Sequence, residues 1–122
     1  MNTLNENKAT VYAGLDISKA TLQLHLQKVQ HVLGNDPKGH AALLKTIGAL
    51  GPVQIICEAT GGYEKGVVAA LHAASQPVSV LNPALVCHFA LAQGQRAKND
   101  PLDAAALTAY GAAMRPEPTP PR

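Results

Sequence analysis

Between Val11 and Leu33 the hydrophobic positions recur at every second residue. Val11, Ala13, Leu15 and Ile17 alternate with Tyr12, Gly14, Asp16 and Ser18, and Leu22, Leu24 and Leu26 alternate with Thr21, Gln23, His25 and Gln27. Val29, His31 and Leu33 continue the period until Gly34-Asn35 stops it. A period of two belongs to strands, so the pattern predicts three in succession over 11–18, 20–27 and 29–33, the second half-buried in an antiparallel pairing. At Asp36-Pro37 the period changes. A capping residue followed by proline marks a helix start, Leu43, Leu44, Ile47 and Leu50 share its apolar face, and Gly51-Pro52 ends it. Residues 53–59 read as a buried strand; Tyr63, Val67, Ala70, Leu71 and Ala74 then take helical spacing, and Pro77 opens a short strand, VSVL. Asn82-Pro83 precedes a helix over about 84–92, followed by the polar loop QGQRAKN and an Ala-rich helix from Asp100-Pro101 to about Met114. The order β-β-β-α-β-α-β-α-α predicts an α/β sandwich: a mixed, partly parallel sheet with helices on its faces.

The 122 residues amount to one domain. Residues 1–10 read as a polar tail without an apolar segment that could act as a secretory signal, and residues 11–114 read as the folded unit. Residues 115–122, RPEPTPPR, hold four of the nine prolines and no large hydrophobe, so the expectation is an unpacked, extended linker at a domain boundary. A hydrophobic share of 47% against 15% charged residues excludes global disorder. A net charge of +2 does not choose a partner, and four aromatics without Trp are few for a module that stacks single-stranded bases. Cys57 and Cys87 form no CxxC pair, and Cys87-His88 has no second ligand pair at zinc spacing; both cysteines read as small hydrophobes in a reducing, cytoplasmic setting. No apolar stretch approaches the about 20 residues of a membrane span.

The placement of the eight carboxylates carries the chemistry. Glu6 and Glu117 lie in the tails, Asp36 caps a helix, and Glu64 sits where its charge complements a helix dipole. Asp16 and Glu58 lie within apolar strands, where an ionised carboxylate without a partner costs several kcal/mol. Asp100 and Asp103 are three apart at a helix start and point in nearly the same direction. Four such groups brought together repel one another unless divalent cations lie between them, and hard oxygen donors suit Mg²⁺ or Mn²⁺. Plainer readings stand beside this one. Asp100 as N-cap with Pro101 at N1 and Asp103 at N3 needs no metal. Asp16 and Glu58 can instead reach a Lys, an Arg or a backbone N–H, and Thr60-Gly61-Gly62 reads as a strand-to-helix turn before it reads as a phosphate cradle. His25, His31, His40, His72 and His88 read as surface or half-buried side chains. Lys19, Arg96 and Lys98 are the cations best placed to meet a nucleic-acid phosphate, with ordinary solvated charge as the alternative.

GLDISK at 14–19, CEATGGY at 57–63, LNPALV at 81–86 and KNDPLDAAAL at 98–107 resemble, in order and spacing, the DEDD transposases of bacterial insertion sequences, the one-ten group of RNA-guided recombinases. The likeness spans about residues 11–113. It implies an RNase H-like (RuvC-like) mixed five-stranded sheet with helices on both faces, and an acidic tetrad on Asp16, Glu58, Asp100 and Asp103, with Asp16 bridging. It also implies two Mg²⁺ (or Mn²⁺) ions that stabilise in-line displacement at a DNA phosphodiester, with DNA and a guide RNA as partners and a homo-oligomer as the working form. Family members continue into a C-terminal domain that supplies a serine; Ser18, Ser75 and Ser79 match nothing in that role, so the expectation is an incomplete recombination site in this chain. Asn99 stands where the family more often has Thr.

Three other readings compete. A stand-alone Holliday-junction nuclease would use the same fold. Half of an actin-like ATPase also has an acid on its first strand, but Gly is missing after Asp16 and no second phosphate loop follows. A non-enzymatic RNA-binding or oligomerisation module would use the acids as caps and the Ala-rich 104–113 surface as an interface.

Overall fold

The structure, a computed structural model, describes residues 10–92 and 103–121. The expected tail over 1–9, and the loop and helix start expected over 93–102, lie outside the described residues. Strands β1 (Val11–Ile17), β2 (Thr21–Leu26) and β3 (Val29–Gly34) open the fold, followed by helix α1 (Pro37–Gly48), strand β4 (Val53–Glu58), helix α2 (Lys65–Ala73) and strand β5 (Val78–Leu81). Helices α3 (Pro83–Ala92) and α4 (Ala104–Met114) complete it. The five strands form one sheet in the order β3-β2-β1-β4-β5. β1 pairs antiparallel with β2 and parallel with β4, so the sheet is mixed as expected.

The period of two divides the sheet into faces. Ala13, Leu15, Ile17, Leu22, Leu24, Leu26, Ile55 and Cys57 point to one side, where Leu43 and Ile47 of α1 and Val67 and Leu71 of α2 close a core. Ile56 and Leu81 point to the other side and meet Val86, Leu107 and Tyr110 of α3 and α4. Complete burial of side chains such as Leu15, Leu24 and Ile55 is worth about 1.5–3 kcal/mol each, which is what binds the helices to the sheet. α1 starts as its sequence requires: the Asp36 carboxylate accepts the Gly39 N–H at 2.7 Å, with Pro37 at the helix start. The β2–β3 hairpin turns at Gln27 and Lys28, both with positive φ, a conformation for which neither residue type is specialised.

Two expectations are corrected. The proline-rich segment is extended, but it packs. Thr119 N donates to the Val78 carbonyl at 2.8 Å, Val80 N donates to Thr119 Oγ1 at 2.9 Å, and Ser79 Oγ donates to the Glu117 carbonyl at 2.8 Å. The buried Gln54 side chain donates to the Pro116 carbonyl at 2.8 Å. Prolines lack a donor but keep a carbonyl, and here the segment supplies acceptors for polar groups of β4 and β5. The second correction concerns α4. Asp103 stands at the N-cap of the described helix, with φ −77° and ψ 176°, and accepts the Ala106 N–H at 2.8 Å; it is not the third residue of the helix.

Candidate functional site

β1 and β4 are adjacent, parallel and in register, with Gly14 opposite Ile56. The pairing ends there, and Asp16 and Glu58 each lie two residues further along their strands. Both are half-buried, and both take the sheet face on which Ile56 meets α4, because the odd-numbered positions of each strand fill the opposite core. Neighbouring parallel strands therefore each carry one carboxylate on the same face towards their C-terminal ends.

α4 reaches this place because Gly14 has no side chain. A Cβ there would lie 1.9 Å from the Ala104 carbonyl oxygen and 2.8 Å from Thr108 N. The first turn of α4 thus rests directly on β1, two residues before Asp16, with Asp103 at its cap. Thr108 secures the contact: its Oγ1 accepts the Gly14 N–H at 2.7 Å and lies 2.9 Å from His25 Nδ1 on β2. Gly111, one turn on, gives room to Ile56 and Tyr12.

The loops beyond the two strands are also structured. After β1, Ser18 Oγ and Thr21 Oγ1 are 2.7 Å apart, closing a turn that leaves Lys19 exposed. After β4, Gly61 and Gly62 take φ of +82° and +134°, which favours glycine, and fold the chain back over Glu64. One oxygen, Glu64 Oε1, accepts from Thr60 N at 3.0 Å, Thr60 Oγ1 at 2.7 Å and Gly62 N at 3.0 Å. Desolvation pushes the Glu64 pKa up, but these hydrogen bonds to its charged form outweigh it and bring the group down to about 2. The turn is therefore an anion nest filled by the chain's own carboxylate, between the two readings open from sequence. Cys57, on the opposite sheet face from Glu58, is driven up to about 12 by burial first and then by the charges of Glu64 and Glu58. It is inert packing, as expected.

Of the residues singled out from sequence, Asp16 and Glu58 lie on one face of adjacent strands, Asp103 caps the helix laid across that face, and Lys19 is exposed beyond β1. Asp100, Arg96 and Lys98 lie outside the described residues. Among the described residues, no group of three or more His, Cys, Asp and Glu is placed to hold a metal ion. The donor chemistry of Asp16 and Glu58, anionic oxygens on rigid neighbouring strands, fits a hard divalent cation. Thr108, Gly14 and Asn35 were not singled out as part of the site. The sequence held a faint signal for Gly14, a glycine inside an otherwise apolar strand, which marks close approach of another backbone. His25, His31, His40 and His72 are half-buried and His88 is exposed, as expected. No described helix is long and apolar enough to cross a membrane.

Comparison with known proteins agrees with the fold. The RuvC of T. thermophilus in complex with a Holliday junction substrate has the same fold, with TM-score 0.59 and 20% identity over 91% of this chain and all of the other. A second Thermus thermophilus RuvC structure gives TM-score 0.60 and 18% identity over 88% of this chain and 99% of that one. No curated protein matches the chain at a significant level. The model of a family described as the transposase of the DEDD IS110 group matches residues 13–122.

Proposed function

Since the chain belongs to the DEDD transposase family of IS110-type insertion sequences, we propose that it is the metal-dependent domain that cuts and transfers DNA strands during transposition. The observation that carries the reading is that Asp16 and Glu58 share one face of adjacent parallel strands, with α4 resting on β1 at Gly14. Asp16, Glu58 and Asp103, with Asp100, are the residues that would hold Mg²⁺ or Mn²⁺. Bound there, the cations would supply charge neutralisation at a phosphodiester and activation of the attacking oxygen.

The chain's own residues do the rest. Asp16 and Glu58 sit on strands fixed by the core, so the pair is preorganised and loses little conformational freedom on binding a cation. The contact of α4 with Gly14, held by Thr108, sets how far Asp103 stands from the strand pair. Lys19, exposed at the same end of β1, is suited to a phosphate of the bound strand, and Arg96 and Lys98 are assigned the same task by their place in the sequence. The solved RuvC that shares the fold holds a junction, which favours branched DNA as the substrate form. A guide RNA, a homo-oligomer and a serine supplied by a further domain complete the proposed recombination. Isothermal calorimetry with Mn²⁺ tests the reading on the wild type, Asp16→Asn, Glu58→Gln and the Asp100→Asn/Asp103→Asn double variant. Each variant is expected to weaken binding; full binding by all of them would overturn the assignment.

A further inference from the structure

Two loops frame the candidate site: residues 18–20, which follow Asp16 on β1, and residues 59–64, which follow Glu58 on β4. One side chain touches both. Asn35 Nδ2 donates to the Ser18 carbonyl at 2.9 Å and to the Tyr63 carbonyl at 3.0 Å, and Asn35 Oδ1 lies 2.8 Å from His40 Nε2. An oxygen facing two carbonyls would find no hydrogen, so the amide orientation is fixed by its partners, and His40 must carry its proton on Nε2 to donate to Oδ1. His40 is itself seated between helices: a Cβ on Gly66, in the first turn of α2, would come within 3.2 Å of its Cε1. Asn35 N adds a bond to the Ala20 carbonyl at 2.9 Å. A single residue just after β3 thus joins the ends of β1 and β4 and the start of α1.

We infer that Asn35, held by His40, is a positioning residue that sets the spacing of the Asp16 and Glu58 loops. It touches neither carboxylate; it acts through the two carbonyls. The link is needed because the pairing of β1 with β4 runs only to Gly14 opposite Ile56, and no ladder joins the loops beyond Ile17 and Glu58. Each loop is rigid within itself, the first through the Ser18–Thr21 bonds and the second through the nest on Glu64. Asn35 converts two separately rigid loops into one frame. Its bearing on catalysis rests on the metal-binding reading above, whereas the clamp itself does not.

The test uses the whole chain as wild type, Asn35→Ala, His40→Leu and His40→Gln, the last keeping an N–H donor at similar reach. Amide hydrogen exchange is followed at Ser18, Thr60 and Gly62, and Mn²⁺ binding is followed by the loss of free-ion signal in electron paramagnetic resonance. In Asn35→Ala, exchange should rise at both loops together while Leu15 and Ile55 are unchanged, and Mn²⁺ should bind about tenfold more weakly, the scale of an outer-shell loss. His40→Leu should move the same way, and His40→Gln should restore wild-type behaviour. Faster exchange at one loop alone or at neither, or unaltered Mn²⁺ affinity in Asn35→Ala, would overturn the inference. A wild type that takes up no Mn²⁺ would overturn the metal reading instead, and the exchange data would still decide the clamp.

Discussion

Replacing Gly14 with alanine tests how closely α4 must approach β1. The new methyl would lie 1.9 Å from the Ala104 carbonyl oxygen and 2.8 Å from Thr108 N, both backbone atoms that cannot rotate away. Recovering ordinary contact requires α4 to retreat by roughly 1.5 Å, since carbon contacts sit near 3.5 Å. That retreat breaks the 2.7 Å bond from Gly14 N to Thr108 Oγ1, and overpacking with a lost hydrogen bond costs about 2–4 kcal/mol together. For a domain of this size the melting temperature should fall by about 10 °C. The effect on chemistry should be larger than stability implies, because Asp103 moves with the helix and a misplacement of about 1 Å costs on the order of 100-fold in rate. The assay is thermal melting beside Mn²⁺-dependent cleavage of branched DNA, with cleavage measured well below the melting transition. A variant with wild-type melting and wild-type cleavage would refute the claim that this contact places α4. Loss of stability without loss of cleavage would refute the claim that α4 places a ligand.

Three further outcomes follow from other contacts. Ending the chain after Arg115 removes one of the two acceptors of Gln54, the acceptor of Ser79 and the bonds to Val78 and Val80, so urea denaturation should register a loss of about 2–4 kcal/mol; an unchanged midpoint would mean the segment only rests on the sheet. The Glu64 pKa is lowered in the fold, to about 2 from 4.5, so its contribution is present above pH 4.5 and is lost as pH falls towards 2. Solvent screening reduces that contribution to about 1–2 kcal/mol, and Glu64→Gln should flatten this part of the stability-pH curve; an unaltered curve would place the acid sensitivity elsewhere. Cys57, its thiol pushed up to about 12, should resist iodoacetamide at pH 8 in the native state and react after unfolding, as read by peptide mapping; rapid native labelling would contradict its burial.

Elements set by apolar patterning were legible in the sequence: β1 to β3 follow from alternation, β4 and β5 from short apolar runs, and the faces of α1 and α2 from helical spacing, all of which burial enforces directly. The pairing of Asp16 with Glu58 was legible in part. Each acid stood out as a charge in an apolar strand, but only the adjacency of β1 and β4 in the sheet puts both on one shared face. Features set by backbone angles were harder to read. The hairpin turn at Gln27-Lys28 has no Asn-Gly or Asp-Gly signal, and the change of Asp103 from third helical residue to cap depends on a ψ of 176°. The proline-rich segment misled because composition counts apolar side chains, whereas its docking uses backbone groups and the Thr119 hydroxyl. Asn35 read only as the end of a strand, since the two carbonyls its side chain joins, those of Ser18 and Tyr63, are distant in sequence.

The central claim is that Asp16 and Glu58 share a divalent cation beneath the start of α4. Crystals of the chain grown with Mn²⁺ and branched DNA, measured at a wavelength where manganese scatters anomalously, test it most directly. The account predicts anomalous density in contact with both carboxylates, lost in Asp16→Asn. Well-ordered Asp16 and Glu58 side chains with no such density at saturating Mn²⁺ would contradict it.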